Sequence, residues 1–147
     1  MNLRMKHCLV TGAIALMFLT ACSEQDSSQP ITGRWYTGDQ LALGKQVFTD
    51  NCAVCHGNNA ESLPDSAKRQ SNVHPAPALN GTAHAWHHSL RVLLWTIDEG
   101  GAKLGGRMPG FKDKLSGAEK TAAIAYFQSY WDDQLYKRWK DSGNLTK

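Results

Sequence analysis

Cys52-Ala53-Val54-Cys55-His56 places two thiols three positions apart, with an imidazole directly after the second. This is the attachment spacing of a c-type haem. Two thiols add across the two vinyl groups as thioethers, and the adjacent imidazole reaches the iron as an axial ligand. A redox dithiol or half of a zinc site would use some of the same residues. A zinc site usually takes a second ligand pair at similar spacing. The remaining cysteines, Cys8 and Cys22, both stand near the N-terminus. A redox dithiol does not need the histidine. The pattern therefore favours one haem c, covalent through Cys52 and Cys55, with His56 on the metal.

A second axial ligand has few sources. Of the four methionines, Met1, Met5 and Met17 belong to an N-terminal leader, which leaves Met108. It sits in Gly105-Gly106-Arg107-Met108-Pro109-Gly110-Phe111. Glycines let the backbone come close to a flat macrocycle, and Pro109 stiffens the ligand's position. A lone methionine is more often core filler, but a glycine-rich loop makes a poor core. The competitors are His74, His84, His87 and His88. A bis-histidine iron would have the lower potential, because a thioether favours the reduced state. His84, His87 and His88 also have metal-like spacing, against the plainer reading of capping, stacking or haem-edge groups beside Trp86. With His56 and Met108 both bound, the metal has no open position for substrate or oxygen. Around the ring, Leu79, Trp86, Leu94, Trp95 and Phe111 are the apolar candidates for excluding water. Pro75 and Pro77 lack amide hydrogens, which leaves nearby carbonyls free. The Pro77 carbonyl is the candidate to accept the far ring N–H of His56 and fix its orientation.

The 147 residues suffice for one domain. Arg4 and Lys6 precede an apolar run from Cys8 to Phe18 that is too short to span a bilayer, the pattern of a signal peptide over residues 1–21. Leu19-Thr20-Ala21-Cys22 resembles the lipobox of bacterial lipoproteins, in which the cysteine becomes the first residue and carries lipid. Cys22 is then the membrane anchor, and the chain works outside the cytoplasm. Ser23 in place of aspartate mildly favours an outer membrane, by resemblance to lipoprotein sorting. Without Arg4 and Lys6 the 16 basic residues fall to 14 against 13 acidic ones, a net charge of +1. Such a balance, with no basic run, excludes a nucleic-acid partner.

The elements that must position these residues are helical. Residues 22–36 are expected to be a lipidated N-terminus and flexible tether, with Trp35 and Tyr36 beginning the packed region. The first helix is expected over Thr37–Asn51, capped by Thr37 or Asp39, with Leu41, Gly44, Val47 and Phe48 on one face. A glycine inside a helix costs roughly 1 kcal/mol against alanine, so Gly44 implies another helix crossing close by. Gly57–Val73 is expected to be a loop, and Pro75–Gly81 a rigid turn. A helix over His87–Glu99 ends at Gly100-Gly101. Ser116 and Glu119 form a capping box for a last helix that runs, with a kink, to about Lys140. Residues 141–147 are expected to fray, and no strand is expected.

On these residues the chain resembles a class I cytochrome c. The likeness rests on Gly44 and Phe48 before the attachment motif, the proline-bearing turn, the Met108-Pro109 loop and Ala125-Tyr126-Phe127. It covers about Asp39 to Trp131. It implies an all-α cytochrome c fold over 37–140, three main helices around one haem, with Gly44 and Phe48 touching Tyr126. It also implies single-electron transfer in the periplasm between redox-protein partners. His84-Ala85-Trp86-His87-His88 and the tail beyond Trp131 depart from the plainest members. A haem sensor, a peroxidase-like enzyme and a cytochrome subunit of a dehydrogenase are the rival readings. Mass spectrometry of the mature protein should find residues 1–21 absent, one haem retained under denaturing conditions and acyl groups on Cys22. An unmodified Cys22 would remove the anchor.

Overall fold

The computed structural model describes residues 26–63 and 76–146. The expected leader, Cys22, the start of the tether, most of the 57–73 loop, His74 and Pro75 lie outside the described residues. Among the described residues the only extended pairing is an isolated bridge between Pro30 and Thr37. No described helix is long and apolar enough to cross a membrane.

Helix α1 spans Gly38–Asn51. Thr37 is its cap, not Asp39: Gln40 N donates to the Thr37 hydroxyl at 3.1 Å, and Thr37 N donates to Gln40 Oε1 at 3.0 Å. Asp39 lies in the first turn, where the helix dipole favours a negative charge. Cys52 ends α1 and starts α2, the single turn Ala53–His56. Gly57, at φ +82°, closes α2.

The expected His87–Glu99 helix begins later. Ala85–His87 forms a separate 3₁₀ turn, His88 is extended, and α3 spans Leu90–Glu99. Ser89 decides the start, because its side chain accepts from Val92 N. Helix α4, Gly117–Gln128, begins at the expected box, with Ser116 N donating to Glu119 Oε2 at 2.8 Å. The expected run to Lys140 is broken. Asp132 is extended, accepts from Leu135 N at 2.8 Å and caps a separate helix, α5, Asp133–Asp141. The four-residue apolar spacing continues through this break, which is why periodicity alone joined the two helices.

The centre of the fold is the crossing of α1 and α4. A Cβ at Gly44 would stand 2.6 Å from the Ala122 carbonyl carbon and closer still to its oxygen. The Phe48 and Tyr126 rings pack beside it, centroids 5.2 Å apart. Ala122 through Gln128 are all buried. A helix covered on every side needs apolar residues around its circumference rather than along one stripe.

Two expectations at the chain ends are corrected. The N-terminal segment is tied to α1 at Ser27 and packs on the core from Ile31, so it is not a free tether as far as residue 36. Asp39 N donates to Ser27 O at 3.0 Å, Trp35 Nε1 donates to Gln128 Oε1 at 2.7 Å, and Tyr136 accepts from Trp35 N at 2.9 Å. Arg34 donates to Asp133 at 2.7 Å and lies over the Tyr136 ring. The tail does not fray after Lys140 either. Leu90 N donates to Asn144 O at 2.8 Å, and Leu145 packs on the core. The two ends hold each other through buried Tyr36, Trp131, Tyr136 and Trp139. Burying such side chains stabilises by about 1.5–3 kcal/mol each, more than enough to outweigh the freedom expected of short polar ends.

Gly44→Ala tests the crossing. The new methyl meets backbone, so the helices must separate, at a cost of about 3 kcal/mol or more. A thermal melt followed by helical circular dichroism should drop by roughly 4 °C per kcal/mol. An unchanged midpoint would contradict the contact.

Candidate haem-binding site

Cys52, Cys55 and His56 project from one helical turn. Cys55 N and His56 N both donate to Cys52 O, at 3.1 and 2.9 Å. Residues at i, i+3 and i+4 share a helix face, so both thiols and the imidazole sit on one side of the turn. Both cysteines are free thiols, Cys52 half-buried and Cys55 exposed. Burial pushes the Cys52 thiol up to about 11, the neighbouring Cys55 adds to the rise, and Lys114 opposes it.

His56 is buried, at 7% exposure. Its Nδ1 lies 2.8 Å from the Pro77 carbonyl oxygen. A carbonyl only accepts, so Nδ1 carries the proton and Nε2 keeps its lone pair. Burial holds the imidazole below its ordinary range, and the Pro77 contact partly opposes that. A neutral ring with a free Nε2 is the form that ligates a metal.

The Pro77 carbonyl is held in place by a short network that the sequence did not reveal. Leu79 N and Asn80 N donate to Ala60 O at 2.7 and 3.1 Å. Ser62 Oγ donates to Ala76 O at 2.7 Å, and Ser62 N donates to His56 O at 2.6 Å. Ala60 and Ser62 have φ of +58° and +73°. Such a conformation costs a non-glycine residue roughly 1–3 kcal/mol and persists only where its surroundings over-determine it. Trp131 Nε1 adds an anchor from beyond α4, donating to Leu79 O at 2.8 Å. A tight chain reversal at ordinary alanine and serine gives no sequence signal.

The remaining candidates divide between two apolar clusters. Leu79, Trp86 and Leu94 are partly buried against the main core, together with Cys52. Met108 packs with buried Phe111, Val47, Leu115 and Ala123. Ile97 touches both clusters. Trp95 joins neither and is 44% exposed. Nothing in the sequence marks Val47 and Leu115 as site residues, and only the fold brings them to Met108. The three-histidine group does not gather. His87 stacks on Trp86 at 3.7 Å, and the His84 and His88 rings are 5.7 Å apart. Among the described residues no three donors meet in a way that could hold a second metal.

The donor set fits a c-type haem: two free thiols and an imidazole on one turn, with the ring tautomer fixed from behind. The family described as "Cytochrome C oxidase, cbb3-type, subunit III" matches residues 39–127. The chain belongs to the class I c-type cytochromes. Its cofactor is haem c, covalently held through the C-x-x-C-H motif.

The cytochrome is similar to cytochrome c6 of Tetradesmus obliquus, 33% identical over 87 residues, which are 58% of this chain and 85% of that one. It is similar to the cbb3-type oxidase subunit FixP of Bradyrhizobium sp. (strain ORS 278), 29% identical over 92 residues, 63% of this chain and 28% of that one. It is also similar to the cbb3-type oxidase subunit CcoP of Rhodobacter capsulatus, 31% identical over 97 residues, 61% of this chain and 29% of that one. The cytochrome therefore spans less than a third of either oxidase subunit. No solved structure matches the chain. The N-terminal arm and α5 lie outside the matched residues.

Trp131→Phe keeps an aromatic ring but removes the N–H that donates to Leu79 O, along with part of a buried indole. An unpaired carbonyl at this part-buried position costs about 1–3 kcal/mol, and the lost ring volume adds to it. The haem-loaded variant should melt roughly 4 °C lower per kcal/mol, with the haem still attached. An unchanged melt would show that the Leu79 carbonyl has another partner.

Proposed function

We propose that the cytochrome is a single-electron carrier held at the periplasmic face of a bacterial membrane by lipid on Cys22, with the outer membrane slightly favoured. The observation that carries the electron-transfer reading is the donor set. His56 presents a neutral Nε2 from a buried, fixed ring, and Met108 is the one thioether after residue 17. The haem supplies the one-electron couple. The chain's part is to keep both axial positions filled and the ring surroundings dry. With His56 and Met108 as its ligands the iron would offer substrate no open position, and on this reading the protein is a carrier rather than an enzyme.

Leu79, Trp86, Leu94 and Phe111 form apolar wall around the site in this proposal, and Trp95 lies at its outer margin. Weak redox encounters bury little area. Exposed Lys103, Arg107, Lys112 and Lys114 surround the methionine loop and provide a basic rim for an acidic redox partner. Lys103 is partly neutralised by Glu99 at 3.1 Å, and Lys114 leans over the Phe111 ring. The two unassigned neighbours in the pathway are a donor and an acceptor protein.

Membership in a larger oxidoreductase complex is a second reading. It is supported by the likeness to the oxidase subunits and to a nicotinate dehydrogenase chain of Pseudomonas putida, 31% identical over 90 residues, which are 60% of this chain and 7% of that one. The chemistry of the cytochrome is the same in both cases. Capture from membranes in native detergent separates them: a stoichiometric oxidoreductase supports the complex, and a lone cytochrome supports the free carrier.

Met108→Ala tests the ligand. The reduction potential should fall by on the order of 0.1–0.3 V, within the roughly 0.8 V that axial ligands command. The near-infrared sulfur–iron band of the ferric protein should vanish while the haem stays attached. A variant with unchanged potential and band would remove Met108 from the metal and reopen the sensor and peroxidase readings.

A further inference from the structure

Lys120 is a lysine with 9% exposure, and its Nζ stands 2.5 Å from Asp98 Oδ1. Buried lysines are rare unless paired. The other ion pairs described do different work. In Lys103–Glu99 and Lys137–Asp141 the lysine is exposed and the pair lies within one element or its immediate continuation, while Arg34–Asp133 ties the N-terminal arm to α5. Among the described ion pairs, Asp98–Lys120 is the one that joins α3 to α4.

Its place relative to Met108 gives it a role. Both limbs of the 100–110 loop are bonded to the end of α3 or to each other. Phe111 N donates to Ile97 O at 2.8 Å, Gly101 N to Met108 O at 2.9 Å, and Gly106 N to Gly101 O at 2.9 Å. A Cβ at Gly110 would lie 2.6 Å from Asp98 O, so the loop backbone lies flat on the last turn of α3. The loop and that turn must therefore move together. His56 belongs to the other body, built from α1, α2 and α4 around the Gly44 crossing. Near Met108 the bodies are joined by the chain segment 111–116 that leads into α4 and by two side-chain contacts. One is the non-directional cluster of Met108, Ile97 and Phe111 against Val47, Leu115 and Ala123. The other is the directional bond between Asp98 and Lys120.

We infer that the Asp98–Lys120 ion pair is a latch that holds Met108 on the iron, and so sets how readily an outside ligand takes that position. The inference rests on the reading of Met108 as the axial ligand. An outside ligand binds only molecules in which Met108 has left, so its apparent affinity scales with the population of that state. Removing one partner leaves the other charge under-compensated in a mostly covered site. The α3 end and its loop then part from α4 more often. Asp98 and Lys120 are not among the candidate ligands and act through the loop, so they are positioning residues.

The test is imidazole titration of the full-length, haem-loaded ferric cytochrome, read by absorbance, beside thermal melts. Wild type should show the sulfur–iron band and bind imidazole weakly. Lys120→Met and Asp98→Asn should each bind imidazole at least about tenfold more tightly. The exchange variant, Asp98→Lys with Lys120→Asp, should return toward wild type. Should Lys120→Met fail to accumulate, Asp98→Asn carries the test, because it keeps the side-chain shape at a one-third-exposed position. Equal imidazole affinity in wild type and variants, with or without a lower melt, overturns the latch and leaves the Met108 reading standing. A wild type that lacks the band and binds imidazole tightly overturns the Met108 reading, and the latch falls with it.

Discussion

Where α1 crosses α4, the backbone of one helix meets the backbone of the other with no side chain between them. Gly44 faces the Ala122 carbonyl, and the Phe48 and Tyr126 rings close the gap on one side. A crossing at that distance admits little sliding, because any shift drives backbone into backbone. Cys52 lies at the end of α1, and the chain that follows Met108 leads into α4. The position of the attachment turn relative to the methionine loop is therefore set by a contact that includes neither.

From that frame the site is built by hydrogen bonds rather than by bulk. His56 is oriented by a backbone carbonyl, which is held by a segment bonded to Ala60 and Ser62 in left-handed conformations. Backbone acceptors have no rotamers of their own, so a ring fixed by one has less freedom than a ring fixed by a side chain. On the Met108 side the same economy appears: the loop lies on the end of α3 through main-chain bonds, and side chains enter at the Asp98–Lys120 tie and the small apolar cluster.

The arm and α5 extend the fold beyond the matched residues. With Trp131 from the connection before α5, they add Trp35, Tyr36, Tyr136 and Trp139 to the core, and the three indole N–H groups donate to Gln128 Oε1, Leu79 O and His88 O. Trp139 Nε1 donates to His88 O at 2.7 Å, so α5 also holds the segment carrying the histidine group. Aromatic residues with one polar atom suit this place, because the ring fills the core while the N–H or O–H finds a carbonyl or a side-chain acceptor.

The sequence alone determined the chemistry and the local starts and stops. C-x-x-C-H, Ser116 with Glu119, and Gly44 at helical spacing from Phe48 each act over a few residues, where types and spacing suffice. Tertiary structure decided what depends on partners far along the chain. Asp132 interrupts a helix whose apolar rhythm continues, and polar ends that looked loose are pinned by aromatics about 100 positions away. Ala60 and Ser62 adopt conformations that nothing in their identity requires, and Lys120 is buried because Asp98 meets it. In each case the energy comes from a contact made only once the chain has closed on itself, and a linear pattern holds no record of such a contact.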